Sequence, residues 1–363
     1  MILVEFNIVA KYKIITNFSE SAKIMRILKY FIIFTLLASV LWYLKSDSKK
    51  YQLIHGQAFG TYYKIKIKSH NENNLLQKEI KEELDKINNE MSVFEINSEI
   101  SEINRAPAGQ WINLSPQMQT LLKKSYEIYR MSSGAFDPTT GKLVDLWGFG
   151  TTGSIQKIPD EEEIKKVLAT TGFSKIKFSG DYSRLKKDND DIIINLSAIA
   201  KGYGVDAIAD LLKKHGYNNF VVEIGGEVSA SGKKSGKIDG WNIGVALPLQ
   251  DSSENAFVIP LKNYAVATSG DYRNFFYIDG QKYSHTIDPT TGRPVQNNLV
   301  SVTVFHKSCM TADGLATAIM SMGERKADEI IRRYNLAVIM FVKDENGTLS
   351  PIISPAAKKL GVQ

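Results

Sequence analysis

The chain has 363 residues, 43% of them hydrophobic and 23% charged, enough length and apolar content for a full globular core, which excludes a disordered or low-complexity chain. Its formal charge of +6 and pI near 9.0 come from lysines and arginines spread along the chain without a basic block, and this argues for no nucleic-acid partner. A single cysteine, Cys309, excludes an internal disulfide and any multi-cysteine metal site.

The run YFIIFTLLASVLWYL, from Tyr30 to Leu44, carries no charge, and extended back to Ile27 it approaches the roughly 20 residues a bilayer crossing needs. Lys23, Arg26 and Lys29 precede it, a pattern that keeps the N-terminus in the cytoplasm. A cleaved signal peptide, an uncleaved anchor and a buried helix compete for this segment. No small-x-small cleavage site follows, and Lys45, Lys49 and Lys50 flank the exit. The expectation is therefore a cytoplasmic extension over 1–24, a membrane anchor or signal segment over 25–45 with the anchor favoured, and one soluble domain over 46–363. Met25 is an alternative start. No cysteine lies near the end of the apolar run, so a lipid anchor is not expected.

Within the soluble part, TYYKIKIKS alternates from Thr61 to Ser69 and predicts a half-buried strand. LLQKEIKEELDKINNEMSVF predicts a helix, and so does SPQMQTLLKKSYEIYRMSSG, with Ser115 as N-cap, Pro116 at the first helical position and Gly134 at the stop. DIIINL reads as a strand, Ala200 to His215 as a helix ended by Gly216, and NNFVVEIGG as another strand. WNIGVALP, AVATSG, RNFFYIDGQKYSHTI and LVSVTVF continue the strands, with Asp279-Gly280 a hairpin turn. Helices from about Ala312 to Met322 and from Glu324 to Tyr334 precede a last strand, LAVIMFV. This mixture without regular βαβ units predicts an α+β fold rather than a Rossmann fold.

One phrase occurs twice: Asp-Pro-Thr-Thr-Gly stands at 137–141, behind Ala135-Phe136, and at 288–292, behind His285-Thr286-Ile287. The string is a good tight turn, and its recurrence suggests an internal repeat or two loops shaped to one ligand. Other chemistry gathers nearby in the sequence. The helix start in INLSAIAKGYGVD offers free N–H groups and Lys201 to an anion, although many helices begin with a small residue and a lysine. Asp313 and Thr317 project from one helical face and suit a hard cation, or a cap and a solvated turn. His285, one of five histidines, is a candidate general base or an ordinary satisfied histidine.

FGT at 59–61, MSVFEINSEISEIN, SSGAFDPTTGKL, INLSAIAKGYGVD, EIGGEV, ATSGDYRNFF, SHTIDPTTGRPV and TADGLATA follow one another in this order. Together they resemble the ApbE family, the FAD:protein FMN transferases, over nearly all of the chain beyond the apolar segment. The resemblance implies an α+β, T-fold-like architecture of two subdomains, with mixed, mainly antiparallel sheets flanked by helices. It implies Mg²⁺ held by Asp313, Thr317 and the backbone carbonyl of Ala198. It places FAD contacts at Phe59, Phe94, Ala135, Phe136, Asp137, Lys201 and the backbone near Ile287, and makes His285 the catalytic histidine. The implied reaction moves FMN from FAD to a threonine of an acceptor protein and releases AMP. The acceptor would be a flavin-bearing subunit of a membrane redox complex, reached from the outer side of a bacterial cytoplasmic membrane. Splitting FAD with water, and flavin binding without catalysis, are the alternative readings. Self-flavinylation is not expected, because Ile319 stands where the acceptor threonine would follow Asp313. Three positions depart from the family pattern: Phe59 where Met is usual, Phe94 where Tyr is common, and Asn195 where Asp is more frequent.

Overall fold

The computed structural model describes residues 25–26, 28–41, 51–69, 73–150, 158–234, 239–249, 254–272 and 274–362. The chain divides into two units, Met1–Gln52 with Ser69–Asn71, and Leu53–Lys68 with Glu72–Gln363. In the first, residues 28–41 are helical and exposed. Among the described residues no helix is long and apolar enough to cross a membrane. The expected extension over 1–24, and the end of the expected anchor from 42 onward, lie outside the described residues.

The second unit is built on a sheet of eight strands: β1 (Tyr51–Ala58), β2 (Thr61–Lys68), β3 (Phe220–Ile224), β4 (Glu227–Ser231), β5 (Tyr264–Gly270), β6 (Leu299–His306), β7 (Ala337–Lys343) and β8 (Leu349–Ile353). They lie side by side in chain order, and β2 through β8 pair antiparallel with their neighbours. In β2 the period-2 pattern does what it predicts, because Tyr63, Ile65 and Ile67 are buried while Tyr62, Lys64 and Lys68 are exposed.

Helices α1 (Asn74–Met91), α2 (Pro116–Met131), α3 (Ser197–Lys214) and α4 (Cys309–Arg333) supply the rest of the core. Leu76, Ile80 and Leu84 of α1 and Val205, Ile208 and Leu212 of α3 cover the buried face of β2 and β3, each such side chain contributing about 1.5–3 kcal/mol. A larger cluster joins α2 and α4 to β6 through residues such as Leu121, Ile128, Leu315, Ile319, Val302 and Val304. The cap expected at Ser115 starts α2, Ser115 Oγ accepting the Met118 N–H at 3.1 Å. The two helices expected after residue 311 are found, for the run Cys309–Arg333 is broken at Gly323, whose φ of 73° and ψ of 164° are not helical.

One expectation fails. DIIINL is not a strand; it makes only an isolated parallel bridge between Ile193 and Thr140. Ile192, Ile194 and Leu196 are buried as a strand's alternate residues would be, but its backbone finds other partners. The Asn104 side chain accepts the Ile194 N–H at 2.8 Å and donates to the Ile194 carbonyl at 2.9 Å, and Asn195 N–H goes to the Pro138 carbonyl at 2.7 Å. A side-chain amide thus takes the place of a neighbouring strand.

Candidate active site

A cleft of about 1190 Å³ opens along the second unit. Phe59, Phe94, Ala135, Phe136 and Asp137 line it, and so do Ala198, Lys201, His285, Ile287, Asp313 and Thr317. Residues spread over most of the chain therefore meet at one cavity.

The two copies of the turn phrase are locked alike. Asp137 Oδ1 accepts the Thr139 N–H at 2.8 Å and its hydroxyl at 2.6 Å; Asp288 Oδ1 accepts the Thr290 N–H at 2.8 Å and its hydroxyl at 2.7 Å. Their glycines differ. Gly292 has φ of +70° and turns the chain back into the short pairing of Ile287–Asp288 with Arg293–Pro294. Gly141 instead begins a short helix, Gly141–Leu146, and is needed for space: a Cβ there would lie 2.7 Å from Ile193 Cγ2. The copies touch through Trp147, whose indole N–H donates to the Gly292 carbonyl at 2.8 Å.

Within the first loop the side chains are already committed. Asp137 Oδ2 accepts the Phe173 N–H at 3.0 Å, and burial raises its pKa against the pull of the Thr139 bonds. Phe136 is 2% exposed, so its ring belongs to the core. Both residues meet the cleft as loop-shaping groups rather than as free side chains.

The charged centre lies where α3 crosses α4. Gly202 permits that crossing, since a Cβ on it would sit 2.5 Å from the Cys309 carbonyl oxygen and 2.8 Å from Asp313 Cβ. The Gly202 N–H donates to Asp313 Oδ2 at 2.9 Å. In a regular helix that N–H belongs to the Ala198 carbonyl, so its engagement by Asp313 draws a donor away from the oxygen the family resemblance assigns to a cation. Lys201 Nζ lies 3.2 Å from Glu227 Oε1 and 3.8 Å from Asp313 Oδ1. Burial works against the Lys201 charge, but Asp313 and Glu227 outweigh it and hold the ammonium's pKa above its usual value. Burial raises Asp313 as well, with Lys201 opposing, and pushes Glu227 up to about 7.

The α3 start is less open than the sequence suggests. Asn195 Oδ1 accepts both the Ser197 N–H at 2.9 Å and its hydroxyl at 2.7 Å, so one of the free donors is capped by the very residue that departs from the family pattern.

His285 is half-buried, and its Nδ1 faces the Asn274 carbonyl at 3.2 Å. A carbonyl only accepts, so the proton sits on Nδ1 and the lone pair on Nε2. Burial lowers the His285 pKa, the bond to Asn274 opposing, and Lys201 lowers it further, which keeps the ring neutral. The Phe149 ring stands edge-on at 6.4 Å.

Phe59 sits at φ of +52° before Gly60 at +69°, the two-residue hairpin turn between β1 and β2. A bulky residue in that region is strained, and such strain marks positions that function fixes. Gly204 of α3 leaves room for its ring, for a Cβ there would be 2.6 Å from Phe59 Cε2. Phe94 is 68% exposed, so it stands at the cleft mouth rather than in its floor.

Among the described residues no group of three or more His, Cys, Asp and Glu side chains is placed to hold a metal ion. The oxygens at this site are of another kind: one buried carboxylate, the Thr317 hydroxyl one helical turn on, and a backbone carbonyl relieved of part of its donor. That donor set fits a hard, oxygen-seeking cation. Ser321, a further turn along α4, also lines the cleft, and its buried hydroxyl has no hydrogen-bond partner among the described residues.

Sequence reasoning did not assign two residues that hold the centre. Glu227 opens β4 immediately after the Gly225-Gly226 turn and is 3% exposed. Asp206 of α3 caps α4, accepting the Cys309 N–H at 2.8 Å, the Met310 N–H at 3.0 Å and the Ser308 hydroxyl at 2.7 Å. The available signal was a carboxylate placed inside an otherwise apolar run in each case.

A profile of the ApbE family matches residues 59–340. The FAD:protein FMN transferase of Vibrio cholerae serotype O1 is 40% identical over 297 residues, covering 81% of this chain and 88% of that protein. The FAD:protein FMN transferase of Escherichia coli K12 is 30% identical over 336 residues, 89% of this chain and 95% of that one. Among solved structures, the flavin transferase ApbE from Vibrio cholerae superposes with a TM-score of 0.79 at 38% identity, covering 85% of this chain and 99% of that one. The apo flavinyl transferase ApbE of Pseudomonas stutzeri gives 0.76 at 30% identity, covering 86% and 98%. With a profile match running from the Phe59 turn into β7 and relatives matched along most of both chains, this chain belongs to the ApbE family.

Proposed function

We propose that the chain transfers the FMN part of FAD to a threonine hydroxyl of an acceptor protein. The observation that carries this reading is the convergence of both Asp-Pro-Thr-Thr-Gly loops, the Lys201–Glu227–Asp313 group and His285 on one cleft of about 1190 Å³. That is larger than the roughly 300–1,000 Å³ of an ordinary small-ligand pocket, as a dinucleotide requires.

In the step proposed, the acceptor oxygen forms a bond to the FMN phosphorus while the bond from that phosphorus to the bridging oxygen breaks, and AMP leaves with the electron pair. The hydroxyl proton passes to Nε2 of His285, which is neutral and correctly protonated on its other nitrogen. Lys201 lies where it would offset charge on the phosphate oxygens. Asp313, Thr317 and the Ala198 carbonyl would hold Mg²⁺, which supplies Lewis-acid neutralisation of the diphosphate when bound. Phe59, Phe94, Ala135 to Asp137 and Ile287 would border the flavin and adenine portions.

The test is to incubate the protein with FAD, Mg²⁺ and a threonine-bearing acceptor and to look for covalent flavin fluorescence on a denaturing gel. Fluorescence on the acceptor supports transfer. Free FMN and AMP formed equally well without acceptor would make it a hydrolase, and neither product would leave a flavin-binding protein.

We place the catalytic domain outside the cytoplasmic membrane, with a flavin-bearing subunit of a membrane redox complex as acceptor. The support is the uncharged run at 30–44 behind Lys23, Arg26 and Lys29. Protease treatment of intact spheroplasts should digest the domain, and full protection would put it in the cytoplasm.

A further inference from the structure

Asp313 has two carboxylate oxygens with different partners. Oδ2 is taken by the Gly202 N–H at 2.9 Å, whereas Oδ1 faces Lys201 Nζ at 3.8 Å. Oδ1 is therefore the oxygen left for a cation, and it is also the one that a lysine would seize. An ammonium and a divalent cation draw on the same lone pairs, so a lysine settled on Oδ1 competes with the metal. Lys201 is not settled there, because it lies closer to Glu227 Oε1, at 3.2 Å.

We infer that Glu227 is a positioning residue: it holds Lys201 off Asp313 Oδ1 and thereby sets the affinity of the site for a divalent cation. The inference rests on the reading of Asp313 as a cation ligand. Glu227 is anchored independently of both helices, at the start of β4 behind two glycines with φ of +58° and +101°. The lysine stem runs over that turn, since a Cβ on Gly225 would lie 3.4 Å from Lys201 Cδ and 2.8 Å from Thr61 Cγ2. The other carboxylate oxygen, Glu227 Oε2, is buried with no hydrogen-bond partner among the described residues. A carboxylate kept from water with one oxygen unpartnered among the described residues is a poor device for stability, and its other oxygen faces the lysine.

The test is a double-mutant cycle read by cation binding alone, without FAD: Mg²⁺ by calorimetry and Mn²⁺ by electron paramagnetic resonance. Glu227→Gln should weaken binding about tenfold. Lys201→Met should strengthen binding slightly in the wild-type background and by a much larger factor beside Glu227→Gln, so that the double variant returns close to wild type. Glu227→Asp keeps the charge but shortens the reach, and it should weaken binding as the glutamine does. An equal effect of Lys201→Met in both backgrounds would overturn the inference, because a distant charge acts additively. So would wild-type affinity in both Glu227→Gln and Glu227→Asp. Equal Mn²⁺ affinity in wild type and Asp313→Asn would instead remove the cation site itself, and the inference with it.

Discussion

Trp147 donates its indole N–H to the carbonyl of Gly292 across 2.8 Å, and so the chain leaving the first Asp-Pro-Thr-Thr-Gly loop carries the second. Trp147 is fully buried, stacks on Tyr283 at 5.6 Å, and shares a cluster with Leu143, Ile164 and Ile287. The repeated phrase thus gives two walls of one cleft, joined through this hydrogen bond.

Trp147→Phe should retain most of the packing and lose that bond. An acceptor left without its donor in the interior costs about 1–3 kcal/mol. The expected outcome is a lower melting temperature together with weaker FAD binding, measured by thermal unfolding and by fluorescence quenching. Lower stability with unchanged FAD affinity would show that the tie serves the fold alone.

Asp313 is a harder residue to remove than its sequence position suggests. A carboxylate on a cleft-lining helix would be cheap to replace if it were at the surface, yet Asp313 is 5% exposed and accepts the Gly202 N–H. Asp313→Ala should abolish magnesium-dependent transfer and also cost about 1–3 kcal/mol of stability. Asp313→Asn keeps an acceptor for Gly202, and it should lose the activity with a much smaller change in melting temperature. Undiminished transfer by the asparagine variant at low Mg²⁺ would take Asp313 out of the site.

The glycine whose N–H donates to this carboxylate is as demanding. A methyl group at Gly202 meets the Cys309 carbonyl at 2.5 Å and Asp313 Cβ at 2.8 Å, one of them backbone that cannot turn aside. Gly202→Ala should force α3 and α4 apart, at a cost of about 1–3 kcal/mol. Because the Gly202 N–H also orients Asp313, cation affinity should fall in the variant even under conditions where it is fully folded. Native cation affinity and native melting temperature together would contradict the close approach.

Local pattern revealed much of this architecture. The alternation in TYYKIKIKS, the Ser115-Pro116 start and the break at Gly323 are local signals, and local chemistry decides them. DIIINL was misread because an apolar run says that a segment is buried, not what accepts its N–H groups; here Asn104, ninety residues away, does so. The cleft residues were legible because motifs in register carried them, one position at a time. Glu227, Asp206 and the Trp147–Gly292 tie were not, since each acts through a partner distant in sequence. The nature of a role was hidden too: Asp137 reads as a binding carboxylate, but Thr139 and Phe173 occupy both its oxygens.

His285 offers the sharpest separation of chemistry from binding. Its Nδ1 proton is committed to Asn274, which leaves Nε2 to receive a proton, and burial holds its pKa below 6.5. The sign follows from the neutral ring being favoured in the folded protein. Protonation sets in only below the ordinary histidine value, so the acidic limb of the pH–rate profile should lie there. Any stability gained from keeping the ring neutral is present above 6.5 and lost as pH falls through the folded value. His285→Ala should slow single-turnover transfer by about 10²–10⁴-fold, leave FAD affinity nearly unchanged and flatten that limb, because a base acts in the transition state while ground-state contacts remain. If affinity collapses while the rate at saturating FAD holds, His285 is a binding residue.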